Sequence, residues 1–237
     1  DSYMQGLDTS KARDQMDEAI DPLVRLLNGE EVTAKTDWYN LQKAQLQFVS
    51  YNERGVEIAV ASQVSPTGAT AAGKHGLGLL SIGATSAGAF NALASNWAIA
   101  EEAAKDHGKT VDRSSWRLVG PVHIAETREK ARENVRHGLE RWIDYMTQVA
   151  AIPLGTPPGE DPIDYMISTR LAVIGTPDDF VAQMERLHEQ SGGFGCFLSL
   201  DHHWADREQT KKSYELIARF AIPKINQLNR NRIASEK

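Results

Sequence analysis

The sequence predicts an α/β fold, a parallel sheet covered by helices, and three observations predict it. Apolar runs with no polar alternation recur at 56–62, 78–83, 116–125 and 194–200. Amphipathic stretches of helical period follow them, so the order is one helix, then strand and helix four times over. An open doubly wound sheet and part of a (β/α)8 barrel both fit that order. The strand exits favour the barrel: Ser62 and Ser65, Ser81 and Thr85, and Asp201 and His202 put polar groups where barrel sites collect. No Gly-x-Gly-x-x-Gly opens a first helix.

Composition narrows the function. The 237 residues are 41% hydrophobic and 24% charged, enough for one substantial core, and a single domain over 1–237 is the simplest division. The net charge of −6 comes without a Lys/Arg stripe interleaved with aromatics, which argues against nucleic acid. No apolar run approaches the ~18–20 residues that cross a bilayer, and no charged, apolar leader is present, so no membrane partner and a cytoplasmic location are expected. The single cysteine, Cys196, lies in an apolar run and reads as a buried, inert thiol.

The elements follow in order. Met16, Ile20, Leu23 and Leu27 mark a helix over 11–27, with Pro22 inside it and Asn28-Gly29 as its stop. Residues 30–39 are polar and turn-like, and 46–49 read as a brief extended piece. After the strand at 56–62, a helix runs from Thr67 towards Lys74. The strand at 78–83 leads to a long helix over 87–107, with Phe90, Leu93, Trp97 and Ala100 as its inward stripe. A charged helix from Glu126 to about Val149 follows the third strand. The Pro/Gly-rich stretch 150–164 reads as an excursion loop within the domain rather than a boundary. Thr176 and Pro177 then supply an N-cap and a first helical residue, the helix passes Met184 and Leu187, and Ser191-Gly192-Gly193 ends it. The last strand enters Asp201-His202-His203-Trp204, a final helix carries Tyr214, Leu216, Ile217 and Phe220, and the polar tail after Ile225 is expected to fray.

Chemistry concentrates at the first strand-to-helix turn. Ser65, Pro66 and Thr67 place two hydroxyls and a residue suited to the first helical turn where free N–H groups and the positive dipole end face outward. The residues suit either an ordinary N-cap or an anion-binding turn. Ser81 and Thr85 either face a ligand or cap the next helix. His202 and His203 are adjacent on an extended segment and point to opposite sides, and no HExxH or CxxC accompanies them, so no metal is expected. His123, inside a strand, reads as a satisfied core histidine. No G-x-S-x-G elbow exists, which argues against hydrolysis.

Specific segments carry a resemblance. They are Met16-Asp17-Glu18-Ala19, Glu57-Ile58-Ala59-Val60-Ala61-Ser62, Val119-Gly120-Pro121-Val122-His123-Ile124-Ala125-Glu126-Thr127 with Ala131-Arg132, Val173-Ile174-Gly175-Thr176-Pro177-Asp178-Asp179, and Ser191-Gly192-Gly193-Phe194-Gly195-Cys196. In that order they resemble the bacterial-luciferase-like family of flavin-dependent monooxygenases, in particular its limonene and diketocamphane oxygenase branch. The resemblance implies the C-terminal half of a TIM (β/α)8 barrel, strands five to eight with helices four to eight, the N-terminal half being missing. A half barrel would leave edge strands unpaired and an apolar interior open, to be closed by the rest of a longer protein or by a second copy in a homodimer.

The family also implies a two-component reaction. A flavin reductase would supply reduced FMN, which reacts with O2 to oxygenate a small apolar substrate. A deazaflavin (F420)-dependent oxidoreductase of the same fold is one alternative, and a non-catalytic flavin-binding or oligomerisation fragment is another. Carried onto this sequence, the cofactor residues are Ala61, Ser62, Ser65, Thr67 and Ser81, and the substrate pocket takes Thr85, Asp201 and His202. Luciferase itself has an acidic residue near the Ser62 position. No catalytic residue is assigned, since the family's catalytic groups fall in the absent half.

Overall fold

The structure, a computed structural model, describes residues 4–52, 55–150, 155–201 and 203–235. Helix α1 (Ala12–Leu27) turns Ile20 inward and keeps Pro22 inside its length. The stretch after it is a small antiparallel hairpin, β1 (Val32–Lys35) and β2 (Asn40–Ala44), where the sequence suggested only turns. Thr36 closes its turn by accepting from the Trp38 and Tyr39 N–H groups, and the Tyr39 hydroxyl donates to the Glu18 carbonyl at 2.9 Å. The run is too short and too polar to read as strand, and it holds because Val32 is buried at its start. No strand forms at 46–49, and Phe48 is exposed there.

A five-stranded, all-parallel sheet is the frame. Its strands are β3 (Ala59–Ser62), β4 (Gly78–Ser81), β5 (Arg117–Ile124), β6 (Val173–Gly175) and β7 (Cys196–Leu200). β5 is the hub. Arg117 and Leu118 lie opposite Leu80 and Ser81 of β4, its residues 117–121 pair with β7, and 122–124 pair with β6. Strand β6 was not counted from the sequence because three residues carry no period, although all three are buried.

Around the sheet run α2 (Thr67–His75), α3 (Ala87–Asp106), α4 (Arg128–Val135), α5 (Leu139–Gln148), α6 (Pro162–Ser168), α7 (Pro177–Ser191), α8 (Arg207–Leu216) and α9 (Ile222–Ser235). A π-helical turn over Ile217–Ala221 joins the last two. Three expectations change. The single charged helix is two, α4 and α5, broken before Gly138, whose N–H donates to the Trp204 carbonyl at 2.8 Å. A Cβ at Gly138 would lie 2.1 Å from the His203 carbonyl oxygen, so only glycine lets the chain pass. The 150–164 stretch ends in helix, since Asp161 caps α6; residues 151–154 lie outside the described residues. The tail after Ile225 continues as α9 instead of fraying.

The core lies on the helix-facing side of the sheet. Val60, Leu79, Leu118, Val122 and Ile124 bury there with Trp97 and Trp116, whose rings stack at 4.8 Å. Burying each large apolar side chain of this kind contributes about 1.5–3 kcal/mol. The Arg113 guanidinium covers Trp97 and donates to the Ser191 and Gly193 carbonyls at 2.7 and 2.9 Å, tying the base of α3 to the end of α7. A second cluster, with Val135, Leu139, Trp142, Met166 and Trp204, forms a roof of α4, α5 and α6 over the strand exits.

The opposite side of the sheet is open. Ala59 and Ala61 of β3, Ile82 just past β4, and Cys196, Leu198 and Leu200 of β7 are exposed. Cys196 is therefore not the buried thiol its apolar run suggested. Strand alternation turns Phe197 into the core against Phe180 and leaves Cys196 on the open face.

Candidate functional site

Two features meet at the C-terminal ends of the strands. The first is the turn from β3 into α2. Ser65 and Thr67 are the exposed pair expected from the sequence, with their hydroxyl oxygens 2.9 Å apart, and the Thr67 N–H lies 3.4 Å from the Ser65 hydroxyl. The N-cap position is Pro66 rather than Ser65; Pro66 offers no side-chain cap, and the Thr67 N–H donates to the Ser65 hydroxyl. Gly68 makes the approach possible, because a Cβ there would sit 2.2 Å from the Ala61 carbonyl oxygen.

Ser62 takes a different place. It is buried, its hydroxyl donating to the Ser65 carbonyl at 3.3 Å and accepting from the Asn96 amide at 3.4 Å. Asn96 also donates to the Gln63 carbonyl at 3.1 Å and so braces the turn from α3. The sequence held a signal for it: a polar residue within the inward stripe of Leu93, Trp97 and Ala100.

The second feature is an apolar cavity of about 290 Å3, close to the lower end of the ~300–1,000 Å3 typical of small-molecule sites. Gln63, Ile82, Gly83, Val119, Pro121 and Leu200 form its floor from four strand exits, and Trp142, Met146 and Tyr165 close it from α5 and α6. Gln63 belongs to both features, which makes the cavity and the turn neighbours. The lining is mostly hydrocarbon. Ser86 donates to the Gly83 carbonyl and Thr169 to the Tyr165 carbonyl, at 2.8 and 2.6 Å. The Gln63 amide and the Tyr165 hydroxyl are the wall's uncommitted polar groups among the described residues. Sequence reasoning missed Gln63, Trp142, Met146 and Tyr165. The i,i+4 spacing of Trp142 and Met146 was visible, but nothing local says that α5 folds over the strand exits.

The other expected residues lie nearby with other work. Ser81 is buried and accepts from the Trp116 indole N–H at 3.0 Å. Thr85 is buried and donates to the Leu171 carbonyl at 2.6 Å, joining the β4 exit to the β6 entry. Neither lines the cavity. Ala61 is on the open face of β3. Asp201 follows β7 and accepts from the His203 N–H at 3.1 Å. Burial and the neighbouring Asp201 carboxylate push the Tyr214 phenol up from its ordinary value. His202 lies outside the described residues. His123 is a core histidine: it accepts from the Asn134 amide at 3.1 Å, and burial, opposed by Asp201 and Asp206, pushes its pKa down, so the ring is neutral at pH 7. Among the described residues no group of His, Cys, Asp or Glu could hold a metal ion, and no helix is long and apolar enough to cross a membrane.

A parallel sheet with an apolar cavity and a hydroxyl-bearing turn at its strand exits is the layout of the α/β proteins that bind small molecules at that end. The sequence profile of the luciferase-like monooxygenase family matches residues 2–193, and the chain belongs to that family. Limonene 1,2-monooxygenase of Rhodococcus erythropolis is 45% identical over 226 residues, which are 95% of this chain and 58% of that protein. The chain thus spans little more than half the length of that relative.

Solved structures agree in fold. The monooxygenase RslO1 of Streptomyces bottropensis superposes with a TM-score of 0.76 at 18% identity, over 94% of this chain and 64% of its own. The oxygenating constituent of 3,6-diketocamphane monooxygenase from Pseudomonas putida, solved with FMN, gives 0.67 at 22% identity, over 94% and 67%. An F420-dependent secondary alcohol dehydrogenase, solved with an F420-acetone adduct, gives 0.59 at 20% identity, over 92% and 63%. At these identities the structures speak for the fold alone.

Proposed function

We propose that this chain is the C-terminal half of a (β/α)8 barrel that acts as an FMN-dependent monooxygenase on a small apolar organic substrate. The observation that carries the reading is the apolar cavity adjoining the exposed Ser65–Thr67 turn. The exposed apolar side chains on the open face of β3 and β7 support the half barrel, as does a length little more than half that of the limonene enzyme. An earlier set of strands would cover that face and complete the pocket wall.

The residues present fit a flavin phosphate. The turn carries two hydroxyls and no competing carboxylate, and the dipole of α2 favours a negative charge at its start. Bound reduced flavin would supply the activation of O2, a chemistry that belongs to the cofactor. The chain's own tasks are three. Ser65, Thr67 and the α2 N-terminus hold the phosphate. The walls from Ile82, Pro121, Trp142 and Met146 exclude water and receive the hydrocarbon substrate. The Gln63 amide and the Tyr165 hydroxyl orient a polar atom of flavin or substrate within that apolar space.

A separate flavin reductase would deliver the reduced cofactor, and a homodimer is the expected assembly. F420 is the alternative cofactor, favoured by the likeness in fold to the alcohol dehydrogenase. The test is turnover of the complete barrel with an apolar alkene under 18O2, once with reduced FMN and once with reduced F420. One 18O atom in the product with FMN alone is expected. Substrate dehydrogenation with F420, or no incorporation, would contradict the reading.

A further inference from the structure

Trp204 lies just before α8 and is 2% exposed, and it does not line the apolar cavity. Its contacts instead reach α5, the helix whose Trp142 and Met146 close that cavity. The Gly138 N–H donates to the Trp204 carbonyl at 2.8 Å, and α5 begins at the next residue. Further along α5 the Trp142 ring meets the Trp204 ring edge to face, with centroids 5.1 Å apart and planes at 70°.

The two contacts do separate things. The backbone hydrogen bond fixes where α5 starts. Its geometry is enforced from both chains: His203 holds φ at 56°, a conformation costly to a residue with a side chain, and a Cβ at Gly138 would lie 2.1 Å from the His203 carbonyl oxygen. The ring contact fixes the orientation of Trp142. On the cavity side the indole faces open space, so the packing that holds its rotamer comes from its other neighbours, and Trp204 is the aromatic one among them. Trp142 is the largest side chain in the cavity wall, and a change in its rotamer changes the cavity's width more than any other wall residue can.

We propose that Trp204 is a positioning residue that limits the size of the molecule the apolar cavity accepts, by holding the Trp142 indole in place as the wall without touching the ligand. The inference rests on the reading of that cavity as the substrate site and adds the residue that bounds the substrate's size.

The test measures calorimetrically the binding of cyclohexanone, cyclooctanone and cyclododecanone, neutral rings of rising size, to the parent chain and to variants at 204. Trp204→Leu and Trp204→Met remove the ring but keep a buried apolar side chain and the backbone carbonyl that receives the Gly138 N–H, so α5 stays seated. Trp142 is then free to swing out of the cavity. In both variants the affinity ratio of cyclododecanone to cyclohexanone should rise about 10-fold, the scale on which a pocket discriminates a methylene group. Trp204→Phe retains an aromatic partner and should keep the parent's ratio. A merely structural residue would weaken all three rings together. That common loss, unchanged ratios in the Leu and Met variants, a Phe variant that follows them instead of the parent, or failure of both Leu and Met variants to fold would each overturn the role and leave the cavity reading standing. No binding of any ring to the parent chain would remove the cavity reading itself, and the role with it.

Discussion

The helix-facing side of the sheet and its opposite side are made by the same strands and differ in almost every physical respect. On one side Val60, Leu79, Leu118 and Ile124 are out of water, and Trp97, Trp116 and Ser81 are locked together. On the other, Ala61, Ile82, Leu198 and Leu200 remain accessible, while His123 of β5 and Ile174 of β6 are covered beneath the roof of α4 to α6. The difference teaches where the two demands on the chain are met. Stability comes from the side chains that face the helices, and their neighbours one residue along each strand make the accessible face and part of the cavity floor.

Substitutions on the two faces should therefore separate stability from binding. Trp116→Ala should have the largest effect, about 3–5 kcal/mol in urea unfolding, by removing the stack on Trp97 and stranding the Ser81 hydroxyl. Comparable stability to the parent would mean that the core is not on that side. Gly138→Ala forces a methyl group against the His203 carbonyl and should cost about 1–3 kcal/mol, loosening the roof rather than the sheet. Hydrogen exchange should rise in α4 and α5 first.

Asp179→Asn sharpens the boundary between roof and core and should cost about 1 kcal/mol at neutral pH, typical of a lost helix cap. The Arg128 hydrogen bond, opposed by burial and reinforced by Thr176, holds the Asp179 carboxyl at about 2, against an ordinary 3.8. A depressed folded-state pKa means that this contribution is complete above 3.8 and is lost as pH falls through about 2. The stability gap between parent and variant, measured across an acid series, should close in that window; a constant gap would assign the effect elsewhere. Smallest should be Leu198→Ala on the open face, below about 1 kcal/mol because the side chain is already 41% exposed. A loss as large as that of Trp116→Ala would erase the distinction between the faces.

How much was legible follows the same divide. The cap of α7 was readable because Thr176, Pro177 and Asp179 act within one turn, and the structure has the full capping box. The exposed hydroxyl turn at Ser65 and Thr67 was readable for the same reason. The break at Gly138 was not, because its cause is the His203 carbonyl, far along the chain. The exposure of Cys196 was hidden in an all-apolar run, where only pairing decides which alternate residues face helices. The cavity's roof residues were missed because Trp142, Met146 and Tyr165 acquire their role from where α5 and α6 settle. Ser81 and Thr85 were chosen for their place at a strand exit, and burial gave their hydroxyls to Trp116 and Leu171.

The central claim is that the turn from β3 into α2 holds a flavin phosphate beside the open face. Titrating the protein with FMN and with riboflavin, which lacks the phosphate, isolates that contact. A preference for FMN of about 10- to 100-fold is expected, the scale of hydrogen bonds to a charged group, and it should vanish in Ser65→Ala/Thr67→Ala while riboflavin affinity stays the same. Equal affinity for the two flavins in the parent protein, or a preference that survives the double substitution, would contradict the account.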